Sequence, residues 1–376
     1  MFCGPPVSIS ADTGLETLVA RIEELANTPA VFLVWPAEGE PYLAKTSMLR
    51  RRLKRLLMPR ETQSRVLNLG ALVRRIEFWP VGSRLESSLV QYELARNFAP
   101  ASYLELLKLR MPYYVKLVLT NQFPRTRVTA RIGAAKAQYF GPFFTRQAAE
   151  DFNHQFLELF QIRRCQDDLT PDPGHPGCIY GEMNRCLRPC QQVVGAEEYA
   201  SEVARVAGFL ATGGKQLLIA TESARDRCSA EMNFEEAARQ HTRLERIAQV
   251  LKLRDDLAAD IDQLHGAAIT PSLPGESVKL WFILKGSWTA PVEFSIAPPG
   301  ESARPIDHRL REAVASIVPE RHSLRRRQEH LALLARWYYS SWRDGEWIPI
   351  ESLDKVPYRK LVGAISRTGR ANVQGS

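Results

Sequence analysis

Four of the six cysteines in this 376-residue chain, Cys165, Cys178, Cys186 and Cys190, fall inside 26 residues, while Cys3 and Cys228 stand alone. Disulfide frameworks typify short secreted domains, so one local cluster in a long chain points instead to a single ligand-holding segment. Twelve, seven and three residues separate successive members of the cluster. Four thiolates at such intervals can close around an iron–sulfur cluster or around zinc, and the spacing does not choose between them. The stretch from Asp167 to Gly177 is rich in Asp, Pro and Gly. The first ligand is therefore expected at a helix end and the other three on the compact run that ends in Arg185-Cys186-Leu187-Arg188-Pro189-Cys190. Four free buried cysteines are the competing reading, which leaves the clustering without a cause.

The length allows two or three modules, and a hydrophobic content of 45% is enough for packed cores. No run reaches 18 apolar residues, and the opening MFCGPPVSISADTG has neither a basic nor an apolar signal-like stretch. A membrane span and a secretory leader are both disfavoured, so the expected compartment is the cytoplasm, with no membrane partner. A formal charge of +8 suits contact with nucleic acid.

The hydrophobic pattern divides the chain into an α+β succession. Residues 15–107 open with helical spacing at Leu15, Leu18, Val19, Ile22 and Leu25, broken before Pro29. The β-branched and aromatic run Ala30 to Trp35 and the run Pro41 to Lys45 predict a hairpin that brings Phe32 near Tyr42. From Ser47, the expected cap, MLRRRLKRLLMP reads as a helix with Leu49, Leu53, Leu56 and Leu57 on one side. A strand over Val73 to Trp79 and a helix over Leu85 to Phe98 that carries Glu86 and Glu93 complete this module. Residues 108–196 hold expected strands at Tyr113–Leu119 and Arg127–Arg131, a rigid loop at Tyr139–Phe143, a helix over Arg146–Phe160 and the cysteine segment. Residues 197–264 read as two antiparallel helices divided at Gly213-Gly214, with Phe234, Ala237, Ala238, His241 and Leu244 on one stripe of the second. Residues 265–376 are expected as a small α+β region, with a hairpin of Val278–Leu284 and Val292–Ile296. Helices are expected over Arg304–Ile317 and Arg325–Ser341, and a frayed tail from Ala371.

Two constellations carry candidate chemistry. Seven basic residues, Lys45, Arg50, Arg51, Arg52, Lys54, Arg55 and Arg60, occur with no acid among them, as on a phosphate-facing helix or a solvated one. Glu86 is a hard carboxylate able to hold magnesium, although a lone surface Glu is commonplace and no second carboxylate lies at a suitable interval. Tyr42 reads equally as a packed strand aromatic. Arg321, Arg325, Arg326 and Arg327 fit either a DNA contact or a solvated helix face.

In combination these segments look familiar. The run Tyr42-Leu43-Ala44-Lys45 leads into Leu49-Arg50-Arg51-Arg52, followed by Phe123-Pro124-Arg125-Thr126-Arg127-Val128-Thr129 and Tyr139-Phe140-Gly141-Pro142-Phe143. Further on come Arg185 to Cys190 and Glu231 to Arg239. The chain resembles the N-terminal half of the bacterial UvrC excinuclease family over residues 15 to 260. The resemblance implies a GIY-YIG nuclease module, a cysteine-cluster region and a UVR helical hairpin. Such proteins make metal-dependent incisions in damaged double-stranded DNA during nucleotide excision repair, in complex with UvrB, the damage-recognition helicase. It places Tyr42, Lys45, Arg52 and Glu86 at the catalytic site, with Mg2+ or Mn2+ on Glu86, and favours a 4Fe-4S cluster over zinc on Cys165, Cys178, Cys186 and Cys190. The UvrB-like partner would meet the residues near Phe234 and Ala238.

Two departures matter. The first GIY-YIG motif is Ala30-Val31-Phe32, which lacks the tyrosine hydroxyl, and Ala44 stands where the second motif has glycine. Residues 265–376 are also too few for both the RNase H-like nuclease and the helix-hairpin-helix modules of a full-length UvrC. The sequence thus leaves three readings: a metal-dependent incision enzyme, a catalytically impaired DNA- and UvrB-binding adaptor, and a structural iron–sulfur protein.

Overall fold

The computed structural model describes residues 2–11, 14–58, 67–166, 169–273, 275–296 and 304–374, which form an α+β protein with three antiparallel sheets. Arg60 of the basic run and Asp167 of the cysteine segment lie outside the described residues.

The first sheet has the order β1-β4-β2-β3, from β1 (Val7–Ser10), β2 (Ala30–Pro36), β3 (Tyr42–Thr46) and β4 (Val73–Pro80). Strand alternation sends Ala30, Phe32 and Val34 to one face, where α1 (Leu15–Glu24) and α2 (Leu49–Leu57) cover them with Leu18, Ile22, Leu49 and Leu53. Val31 and Leu33 go to the opposite face, against Val90 and Leu94 of α3 (Arg84–Phe98). Three details differ from the sequence reading. The four-residue β1 precedes Leu15 and is too short to show a period. Ser47 does not cap α2: Met48 is the N-cap residue, and its N–H donates to Thr46 Oγ1 at 3.1 Å. Ser83 caps α3, accepting from Glu86 N–H at 3.1 Å, so that helix starts at Arg84.

After α4 (Tyr103–Leu107), a second sheet runs β6-β5-β7-β8, from β5 (Tyr113–Val118), β6 (Arg125–Thr129), β7 (Ala137–Phe143) and β8 (Ala259–Asp260). The segment Tyr139–Phe143, expected as a loop, belongs to β7: Phe140 and Phe143 point into an aromatic core with Phe152 and Phe156 of α5 (Arg146–Leu157). The cysteine segment follows with the short α6 (Ile179–Glu182). Three helices, not two, come next: α7 (Ala196–Thr212), α8 (Lys215–Ala230) and α9 (Phe234–Lys252). The first break falls at Gly213 and Gly214, both at positive φ, and the second at Met232 and Asn233, where Asn233 caps α9.

The third sheet contains β9 (His265–Pro271), β10 (Ser277–Leu284), β11 (Ser287–Trp288), β12 (Val292–Ser295) and β13 (Glu346–Ile350), with α10 (Ile306–Ala315), α11 (Leu324–Tyr338) and α12 (Tyr358–Gln374). The expected hairpin is the β10–β12 pair. The chain from Ala371 to Gln374 is not frayed but continues α12. Helix α11 is a strut shared by all three sheets. Its Leu331 and Leu334 sit in one core with Leu89 and Tyr92 of α3, Tyr114 of β5 and Trp281 of β10. Gln328 Nε2 donates to Ala130 O at 2.5 Å, and Arg336 Nη1 donates to Leu107 O at 2.8 Å. Two of the four arginines weighed for DNA serve the same strut, Arg325 pairing with Glu329 at 3.2 Å and Arg327 with Asp262 at 2.8 Å, while Arg321 precedes α11 and is exposed.

Gly82, just past β4, packs tightly on the chain just past β9. A Cβ there would meet the Ser272 backbone at 2.6 Å, an impossible distance for main-chain atoms that cannot rotate away. Gly82→Ala is expected to destabilise the fold by about 1–3 kcal/mol through overpacking at this seam. Urea unfolding checks it, and an unchanged midpoint would show that the seam is not tight.

Candidate functional site

The residues singled out at the first module do not form one cluster, because strand periodicity divides them. Tyr42 and Ala44 pack toward the α1–α2 face with Phe32, and the Phe32 and Tyr42 ring centroids lie 6.4 Å apart. Arg52 of α2 donates from Nη2 to Tyr42 Oη at 3.4 Å. Phe32 is fully buried between Ala44 and Phe78 in the strand register. Its site is therefore apolar, and Phe32 supplies packing and no proton-transferring group. Lys45, one residue beyond Ala44, shares the opposite face with Leu43 and borders a cleft with Arg84 and Arg336. Desolvation of the Lys45 ammonium lowers its pKa, and the Arg336 and Arg84 charges lower it further.

Glu86 is only 5% exposed, in the first turn of α3. One carboxylate oxygen accepts from the Gly82 N–H at 2.8 Å, and the other forms a short ion pair with Lys279 Nζ of β10. Lys279 also lies 3.4 Å from Glu293 of β12, whose carboxylate accepts from Ser272 Oγ. A divalent ion on Glu86 would have to enter beside an ammonium already bound there. Glu293, the other carboxylate joined to this group, serves the same lysine. These residues do not fit a magnesium or manganese ion. Among the described residues no group of three His, Cys, Asp or Glu side chains is gathered to hold a metal.

Sequence reasoning missed Lys279, yet a signal existed. A single charge in the run Val278-Lys279-Leu280-Trp281-Phe282 is costly to bury alone and requires a carboxylate opposite it. Glu93, further along α3, is 7% exposed; its carboxylate accepts from the Phe2 N–H and lies 3.9 Å from Cys3 Sγ. Burial and this carboxylate push the Cys3 thiol up to about 11.

Of the basic run on α2, Lys54 pairs with Glu23 at 2.6 Å and Arg50 donates to Glu23 O at 3.3 Å, so α1 holds part of it. Arg51 and Arg55 remain exposed.

Three of the four clustered cysteines lie in the short turns between α5 and α7, and Cys165 lies in the irregular segment after α5. Cys178 is the N-cap residue of α6, and Cys190 sits in a 3-10 turn between Arg188 and Gln192, both in the left-handed region. Leu187 N–H donates to Gln161 O at 3.0 Å, and Glu158 pairs with Arg164 at 2.6 Å and Arg185 at 2.5 Å, which fastens the segment to α5. Burial opposes ionisation of Glu158, but the two arginines hold its carboxyl below the usual range. Cys186 and Cys190 are buried and Cys178 is exposed. Burial pushes the Cys186 thiol up to about 11, and Cys178, Cys165 and Cys190 are each close enough to raise it further. Arg188 N–H donates to Cys186 Sγ and Arg163 Nη1 to Cys165 Sγ, both at 3.4 Å. Four thiols with N–H donors suit a thiolate-bound centre in composition, although among the described residues the structure does not gather three of them at metal-binding distance.

On the α8–α9 pair, Leu244, Ile247 and Val250 are buried at the C-terminal end of α9, while Phe234 is 68% exposed and Ala238 is exposed at the other end. Met232, in the turn between α8 and α9, adds to this apolar surface. No helix among the described residues is long and apolar enough to cross a membrane.

Residues 113–209, from β5 through most of α7, match the UvrC/Cho excinuclease middle domain. The chain is 24% identical over 275 residues to UvrABC system protein C of Lachnospira eligens, covering 72% of this chain and 44% of that protein. It is 27% identical over 235 residues to UvrABC system protein C of Alcanivorax borkumensis, covering 62% and 36%. It is 25% identical over 259 residues to that of Aliivibrio fischeri, covering 68% and 42%. The chain is thus a distant and partial homologue of UvrABC system protein C, and it spans less than half the length of these relatives. No solved structure matches it.

Lys279→Met is expected to cost about 3–5 kcal/mol by leaving Glu86 buried and unpaired. Pairing it with Glu86→Gln should restore most of the loss. A double-mutant cycle in urea measures this, and additive losses would show that the two side chains do not interact.

Proposed function

We propose that this chain is a DNA- and partner-binding component of UvrC-like nucleotide excision repair, acting in the cytoplasm, whose GIY-YIG-like module holds DNA without cutting it. The observation that carries this reading is the engagement of both Glu86 oxygens by Lys279 and Gly82. The fully buried Phe32 and the separation of Tyr42 from Lys45 across β3 support it. Contact with damaged duplex DNA falls to the exposed cations of α2, which position a phosphate backbone without reading sequence. The α8–α9 pair serves as a UVR-like hairpin, with Phe234 and Ala238 presented to a UvrB-like partner. Exposed apolar residues on a rigid hairpin are the natural anchors of such an interface.

Cys165, Cys178, Cys186 and Cys190 hold a 4Fe-4S cluster in this reading, in preference to zinc. Its task is to stiffen the turns between α5 and α7. Anaerobically purified protein is expected to be coloured, with stoichiometric iron and sulfide that Cys186→Ser removes. Colourless protein carrying zinc would contradict the iron–sulfur assignment.

With the cognate UvrB-like protein loaded on lesion-containing duplex DNA, in Mg2+ or Mn2+, the expected result is a stable complex and no incision by the wild type or by Glu86→Ala. Phe234→Ser should weaken the complex by at least about tenfold. Incision by the wild type that Glu86→Ala abolishes would overturn the non-cutting reading.

A further inference from the structure

The cleft between β3, the start of α3 and the end of α11 joins Lys45, which the incision reading places at the catalytic site, to Arg84 and Arg336, which neither reading uses. It encloses about 610 Å³, within the range of small-ligand sites, and brings Lys45, Arg84 and Arg336 to its walls. Among the described residues none of these three cations is in a salt bridge. The one acid in the lining, Asp344, is already engaged: Oδ2 accepts from the Arg84 backbone N–H at 2.5 Å and Oδ1 from Trp337 Nε1 at 3.1 Å. Arg336 gives one N–H to Leu107 O at 2.8 Å, which leaves its other donors without a carboxylate among the described residues, and it also borders the neighbouring cleft of Lys108 and Arg110. Three cations thus face one carboxylate, and the Lys45 pKa is lowered by desolvation first and by the Arg336 and Arg84 charges after it.

An anion relieves this arrangement, and the surroundings select its kind. Ammonium and guanidinium groups together suit a phosphate, with Ser47 and Ser87 beside them in the lining. Three cations match a phosphomonoester, which carries about −1.5 to −2 charge at pH 7, better than a singly charged diester. Trp342 completes the wall, with the Arg84 guanidinium 5.8 Å from its ring centroid. An indole in such a place offers a stacking surface for a base.

We propose that this cleft binds a phosphomonoester on a nucleoside, with the phosphate on Lys45, Arg84 and Arg336 and the base against Trp342. The site joins the first and third sheets, so neither forms it alone. The inference rests on the proposed DNA-binding role only for its choice of nucleic-acid probe. The ligand's two sources are the 5′-phosphorylated end of a strand and a free nucleotide.

Anisotropy with a short labelled single strand, bearing either a 5′-phosphate or a 5′-hydroxyl, separates them, with calorimetric titration of AMP and inorganic phosphate alongside. The full chain is expected to prefer the 5′-phosphate by about tenfold, and Lys45→Gln or Arg336→Gln should remove the preference. Lys45→Gln is the variant least able to disturb folding, since its side chain lies at the cleft rim. Equal binding of the two strands, with AMP or phosphate bound by the wild type and lost in both variants, would support the same site with a free nucleotide as its ligand. Equal strands with neither small anion bound, or a preference that survives both substitutions, would overturn the proposal. Weak binding of both strands would count against the DNA-binding role and leave the AMP titration to decide the cleft.

Discussion

A carboxylate can be buried only with a donor buried beside it, and α3 carries two that the fold encloses. Glu86 is satisfied by Lys279 from the third sheet and Glu93 by the N–H of Phe2 from the chain's start. Helix α3 packs on the first sheet through Val90 and Leu94 and on α11 and β10 through Leu89 and Tyr92. The arrangement of the two sheets follows from this requirement. Remove the third sheet and α3 exposes an apolar face and an unpaired acid.

The same constraint separates shape from chemistry at the first module. Tyr42 and Lys45 lie on β3, Arg52 on α2 and Glu86 on α3. The acid, however, meets an ammonium of its own chain. An ammonium and a divalent ion compete for one carboxylate, and here the ammonium is anchored by a strand. The cations Lys45, Arg84 and Arg336 are left on the rim of a cleft whose lining holds one acid, Asp344.

Much of the local structure was legible in the sequence. The hairpin could be read from β-branched runs flanking Pro36 to Glu40, α2 from leucines at helical spacing, and the break at Gly213-Gly214 from two glycines. Period-two alternation also put Phe32 beside Tyr42. What stayed hidden depended on contacts distant in sequence. Glu86 looked like a surface acid because α3 is apolar on two faces, which erases the one-sided pattern of a surface helix. The tract Tyr139–Phe143 contains Gly and Pro and read as a loop, whereas pairing with β5 and β8 makes it a strand. The arginines of α11 carried charge without an address: Glu329 and Asp262, which fix Arg325 and Arg327, could be assigned only in three dimensions.

Glu86 thus belongs to Lys279 and not to a metal. Titration of the full chain with Mn2+, followed by electron paramagnetic resonance, tests this most directly when wild type and Glu86→Gln are compared. The same Mn2+ uptake is expected in both proteins. A bound Mn2+ signal present in the wild type and missing in Glu86→Gln would contradict it.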